Sequence, residues 1–134
     1  LSVNCQNRLT VENDDKASMW STRHLYDYIH KVIYIPIVFD YHHHKFCTGG
    51  QTEQEALELA MSTWHGVKPV VHYSQDRSVE HNDPKIRPQA HSDSYWTAIE
   101  TYGHDIDIML ECKHKEQGLF KMRQLLQESA VVAA

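Results

Sequence analysis

The stretch Ile35-Pro36-Ile37-Val38-Phe39-Asp40-Tyr41-His42-His43-His44 decides how this chain folds. Its first half is a short, continuous apolar run. Such a run reads as a strand buried on both faces, as in a parallel sheet. Its second half sets a carboxylate and three imidazoles where that strand runs out. α/β proteins build their sites at the carboxyl ends of their strands, so this is where a metal centre is expected. The histidines are internal to the chain, which argues against a purification tag.

Working outward, the same unit recurs. Arg8 to Glu12 reads as a strand, followed by the polar turn Asn13-Asp14-Asp15-Lys16, where Asp15 or Ser18 can cap a helix. That helix carries Leu25, Tyr28, Ile29 and Val32 at helical spacing. After Ile35–Asp40 and a Gly49-Gly50 loop, Thr52 starts a second helix with Glu53 and Glu55 in its first turn. Leu57, Ala60, Met61 and Trp64 make its buried face, and Gly66 ends it. Pro69 to Tyr73 is a third strand, leading into a polar loop from Gln75 to Arg87. That loop reads equally as a DNA contact or as a tolerated insertion. A short helix is expected around Trp96 to Thr101, and a fourth strand from Ile106 to Glu111. The last helix carries Leu119, Phe120, Met122, Leu125 and Leu126, with 130–134 as a frayed tail beyond a body of 1–129. Trp64 and Trp96 read as core residues rather than base-stacking ones.

Four strand–helix alternations predict an α/β fold with a parallel sheet. Units of ~30 residues match a (β/α) TIM barrel, in which eight units take ~250 residues, so four units make half a barrel. A four-stranded open α/β sheet is the alternative. Each strand ends in a ligand type: Glu12, Asp40, His72 and Glu111. Side chains alternate along a strand. If these four face inward, then Val11, Phe39, Val71 and Leu110 face the helices in every strand. Carboxylates and imidazoles without thiolates suit Mn²⁺, Mg²⁺ or Zn²⁺. More than one such ion can activate a water and hold both oxygens of an in-line displacement at phosphorus. The same cluster in a barrel also suits a metal-dependent sugar isomerase.

Composition bounds the partners. The net charge of −5 gives no bulk attraction for nucleic acid, although bound cations would reverse the local sign. Cys5, Cys47 and Cys112 form no C-x-x-C pair, which argues against a disulfide framework and fits a reducing, intracellular setting, cytoplasmic or nuclear. No stretch approaches the ~20 apolar residues that span a bilayer. The chain begins at Leu1 rather than at a methionine, and no signal peptide is expected within it.

Five blocks then appear in order: Leu9-Thr10-Val11-Glu12-Asn13-Asp14-Asp15-Lys16, Val38-Phe39-Asp40-Tyr41-His42-His43-His44, Val71-His72-Tyr73-Ser74, Ala90-His91-Ser92-Asp93 and Met109-Leu110-Glu111-Cys112-Lys113. Together they resemble the UV damage endonucleases, relatives of endonuclease IV, over about residues 8 to 126. The resemblance implies a metal-dependent barrel that cuts UV-damaged double-stranded DNA 5′ to the photoproduct, most naturally with Mn²⁺. It implies metal ligation by Glu12, Asp40, His43, His72, His91 and Glu111, with Glu12 as the bridging, catalytic carboxylate. Strict alternation from Asp40 would have favoured His42, so His43 requires the chain to leave strand geometry there. Tyr41, Ser74 and Lys113 are the expected substrate contacts, while Lys113 and Lys115 read equally as phosphate contacts or as an exposed charged loop.

Two departures from the family pattern stand out. Val70 occupies the position where the family carries a lysine two residues before the strand-three histidine, and Lys68 lies one layer deeper. The family's first four βα units have no counterpart, so the chain reads as the carboxyl-terminal half of the enzyme. The missing amino-terminal half and self-association through open sheet edges are the expected partners. An abasic-site endonuclease, an isomerase on the same barrel, or a non-catalytic metal-binding fragment are the alternatives.

Overall fold

The computed structural model describes residues 1–133. Its strands are β1 (Val11–Glu12), β2 (Ile37–Asp40), β3 (Val70–Tyr73) and β4 (Asp107–Leu110). They form one sheet in the order β1-β2-β3-β4. β1 pairs parallel to β2, Val11 with Ile37 and Glu12 with Val38. β2 pairs parallel to β3, Phe39 with Val71 and Asp40 with His72. Spatial order equal to chain order is what a (β/α) barrel requires. A doubly wound open sheet instead reverses direction at a switch point. The architecture is thus the expected partial α/β barrel. The strands start one to three residues later than the sequence suggested, and β4 also stops at Leu110, so Glu111 follows the strand rather than ending it. Compact packing groups Leu1–His72 with Asp105–Ile108 in one unit and Tyr73–His104 with the residues from Met109 in a second.

In the first unit, Ile37, Phe39, Ala56 and Leu57 are wholly buried. Phe39 and Val71, level with each other in the sheet, are both core residues, as the alternation predicts. The first long helix is capped by Ser21 rather than by Asp15 or Ser18. Ser21 Oγ accepts from His24 N–H, and the Ser21 N–H returns to His24 Nδ1, each at 3.3 Å. Residues 14–20 are held in their own turns, with the Asp14 N–H donating to Trp20 O at 2.8 Å and Met19 N–H to Lys16 O at 2.9 Å.

That helix runs Thr22–Leu25, then a π segment Tyr26–His30, then Lys31–Ile33. The π turn, with its i→i+5 bonding, rotates the buried face. Leu25 and His30 point inward, while Tyr28 and Val32, expected in the buried stripe, are exposed. The Glu53–Met61 helix starts, as expected, at Thr52, in a reciprocal capping box with Glu55. It tightens into a 3₁₀ turn, Ser62–Trp64, and left-handed His65 and Gly66 end it. Thr63 Oγ1 accepts the Ile37 N–H at 2.9 Å and Trp64 Nε1 donates to Ile37 O at 2.8 Å, which stitches that helix end to the start of β2.

In the second unit, the Gln75–Arg87 loop contains a short helix, Arg77–Glu80, capped by Asp76. The helix expected at Trp96–Thr101 is absent. The Gln75 side chain takes the Trp96 N–H at 3.1 Å and gives its own amide to Thr97 Oγ1 at 2.7 Å. It supplies locally what helical bonds would have supplied. Trp96, expected in the core, is exposed, and Tyr95 and Ile99 are buried instead. The last helix is Glu116–Ala133, so the tail expected to fray from residue 130 is helical through 133. Residue 134 lies outside the described residues. Met122 is buried, whereas Phe120 is exposed. No helix among the described residues is long and apolar enough to cross a membrane.

Candidate metal centre

The carboxyl ends of β1, β2 and β3 bring Glu12, Asp40 and His72 together, with one potential ligand atom from each within 4.8 Å of the others. His72 Nδ1 stands 3.3 Å from Glu12 Oε2. His43 joins them from the other side, with Nδ1 at 3.2 Å from Glu12 Oε1 and Nε2 at 3.7 Å from Asp40 Oδ2. His43 reaches this position because the chain leaves β2 at Asp40 and enters one helical turn, Tyr41–His44. Asp40 caps that turn through Oδ1, which accepts the His43 N–H at 2.9 Å. His42, which strict alternation would have chosen, is instead buried with its ring edge-on to Phe46.

Asn13 sets the frame, and nothing in the sequence reading pointed to it. It is buried, and its side chain makes a two-pronged bond to the Asp40 backbone. Oδ1 accepts the Asp40 N–H at 2.8 Å, and Nδ2 donates to Asp40 O at 3.0 Å. The Asn13 carbonyl lies 2.8 Å from His43 Nδ1. A carbonyl only accepts, so Nδ1 carries a proton, which leaves Nε2 as the nitrogen that a metal would take. The sole signal for this asparagine was its place directly after Glu12, at the crossing from β1 to the mouth of β2.

Burial pushes the Asp40 carboxyl up to about 7, helped by the Glu12 carboxylate beside it and resisted by the His43 N–H and ring. Burial pushes Glu12 upward as well. The adjacent His72 and Asp40 side chains, with His43 acting in the same direction, outweigh that and hold Glu12 below the usual range. Two neighbouring carboxyls are thereby driven apart, Asp40 upward and Glu12 downward. Asp40 Oδ2 is buried and receives no hydrogen bond. An acceptor of that kind among carboxylate and imidazole atoms fits a divalent cation.

His91 and Glu111 belong to the second unit. His91 forms an isolated antiparallel bridge with Asp76, and the Glu111 N–H donates to Tyr73 O at 2.9 Å. Lys113 is exposed, and its N–H donates to Ser92 O at 3.0 Å. Tyr41 and Ser74, expected to touch substrate, are both buried: Tyr41 packs edge-on to Phe39. Val70, where the resemblance led to the expectation of a lysine, sits in β3, and Lys68 is held in ion pairs. Its ammonium pairs with Asp105 at 2.9 Å and Asp107 at 3.3 Å. The second unit holds a further cluster, Glu80, His81 and Asp93, tied by Arg77 to Asp93 at 2.5 Å.

The family described as UV-endonuclease UvdE matches residues 1–134. The chain belongs to this family. It is 33% identical over 136 residues to a UV-damage endonuclease of Neurospora crassa, covering 91% of this chain and 19% of that protein. It is 33% identical over 132 residues to a UV DNA damage endonuclease of Bacillus cereus, covering 91% of this chain and 39% of the relative. The crystal structure of SacUVDE superposes with a TM-score of 0.78 at 30% identity, over 97% of this chain and 43% of that one. This UvdE-family chain therefore spans two fifths or less of the length of the curated relatives it matches here.

Proposed function

We propose that this chain forms part of the active site of a metal-dependent DNA repair endonuclease that incises the backbone 5′ to UV photoproducts. The observation that carries this reading is the meeting of Glu12, Asp40 and His72 at the ends of three adjacent parallel strands. Membership of the UvdE family supports the substrate class. Glu12, Asp40, His43 and His72 would hold the cation. Mn²⁺ is the proposed ion, with Mg²⁺ or Zn²⁺ as substitutes, and more than one ion per site. Such ions supply charge neutralisation at phosphorus and a water of lowered pKa. Glu12, flanked by two imidazoles, would serve as a metal ligand and as the catalytic carboxylate. The Asn13 carbonyl fixes the His43 tautomer, and Asp40 anchors the turn that presents it. His91 and Glu111 are proposed as further ligands, and Lys113 as a phosphate contact.

The test is binding of this chain to irradiated and to undamaged duplex. Affinity should require Mn²⁺, fall as salt rises, favour irradiated DNA, and vanish in Asp40→Ala. Equal affinity for both duplexes would overturn the lesion assignment in favour of an abasic-site enzyme.

A further inference from the structure

His30 and His65 form a second imidazole pair in the first unit, separate in residues and partners from the strand-end cluster. His30 lies in the π segment of the first long helix and is buried. His65 is the exposed left-handed residue that ends the Ser62–Trp64 turn. His30 Nδ1 is 3.1 Å from the Ile35 carbonyl, which can only accept. Nδ1 therefore carries the proton, and Nε2 presents a lone pair. That lone pair meets His65 Nε2 at 3.3 Å, with ring centres 5.2 Å apart.

We propose that this pair is a binding site for a divalent transition-metal ion, Zn²⁺ in the first instance. An ion bound tetrahedrally at ~2.05 Å holds two imidazole nitrogens about 3.3 Å apart and their ring centres about 5.2 Å apart. Both separations are already present. The bond from Nδ1 to a backbone carbonyl is the outer contact that fixes a metal-binding histidine's tautomer and orientation. Both imidazoles also stand at helix carboxyl ends, His30 in the last turns of one helix and His65 at the close of the other. There the helix dipoles favour positive charge. His65 is open to solvent, so water can complete the coordination. Without an ion, a proton shared between the two nitrogens occupies the same place.

The π segment is what makes the pair. A regular α-helix through Tyr26–His30 would turn His30 away from His65. Two neutral nitrogens without carboxylates suit a borderline ion such as Zn²⁺ or Cu²⁺ better than Mn²⁺ or Mg²⁺. The lack of a carboxylate ligand distinguishes the pair from the Glu12, Asp40 and His72 centre.

The experiment uses the full chain and Zn²⁺ or Cu²⁺ alone. Calorimetric titration with Zn²⁺ should lose one equivalent per chain in His65→Gln and keep that equivalent in Asp40→Asn. In a His43→Ala background, which leaves one imidazole at the strand-end centre, Cu²⁺ should show coupling to two nitrogens in its electron paramagnetic resonance spectrum, absent when His65→Gln is added. His65→Asp, which offers an oxygen ligand at the same exposed position, should restore the Zn²⁺ equivalent while leaving only one nitrogen coupled to Cu²⁺. An unchanged Zn²⁺ stoichiometry in His65→Gln, or no two-nitrogen Cu²⁺ signal in His43→Ala, would overturn the proposal.

Discussion

At the residue scale, the candidate centre depends on Asn13 as much as on its ligands. Asn13→Ala strips both bonds from the Asp40 backbone and leaves a buried N–H and C=O unpaired, at a cost of about 2–4 kcal/mol. Chemical denaturation of the two proteins measures this, and a loss below about 1 kcal/mol would mean that water replaces the amide. Asp40 makes a pH prediction. Folded, it keeps its proton up to about 7, against an ordinary 3.8. The stability that this proton carries is fully present below pH 3.8 and is lost as pH rises through about 7. The metal-free chain should therefore melt at lower temperature near pH 8 than near pH 5. Mn²⁺, which needs the carboxylate form, should narrow that gap, and Asp40→Asn should flatten it. Equal melting temperatures for the metal-free chain across that window would show that Asp40 is ionised when folded. Much of the cluster was legible because carboxylate and imidazole types stand at strand ends in a fixed parity. Asn13 was not, because an asparagine's use depends on which backbone it faces across the sheet.

At the element scale, the sequence revealed strand order and the Thr52 cap, since apolar runs and capping boxes are local signals. It misplaced the face of the Thr22–Ile33 helix, because an extra residue in one turn leaves no mark on apolar spacing read at period 3.6. It also supplied a helix at Trp96–Thr101 that Gln75 pre-empts from a distance in the chain. Gly118 gives a prediction of this kind. It lies in the last helix, where alanine would normally gain about 1 kcal/mol over glycine. A Cβ there would collide with Cys112 Sγ and crowd the Tyr95 ring. Gly118→Ala should therefore destabilise by about 1–3 kcal/mol, and Gly118→Ala combined with Cys112→Ala should recover most of that loss. A stabilising single variant would show that the helix shifts freely.

At the scale of the whole molecule, four strands cannot close a barrel, whose strand number, tilt and stagger are linked. β1 and β4 are edge strands of this sheet, with Met109 exposed on β4. Open edges of that kind pair with other chains. The chain alone should run as a dimer or larger species by light scattering and nick irradiated DNA weakly at any Mn²⁺ concentration. A monomer with strong metal-dependent incision would show these four strands to be a sufficient enzyme.

One carboxylate oxygen of Asp40 holds the amide of His43, while its other oxygen faces the centre. Ligand geometry and the order of one backbone turn are therefore written into the same side chain. The exchange rate of a single amide proton, at His43, should consequently read out site occupancy in solution. It should slow when a cation locks the carboxylate, without any need for substrate or turnover.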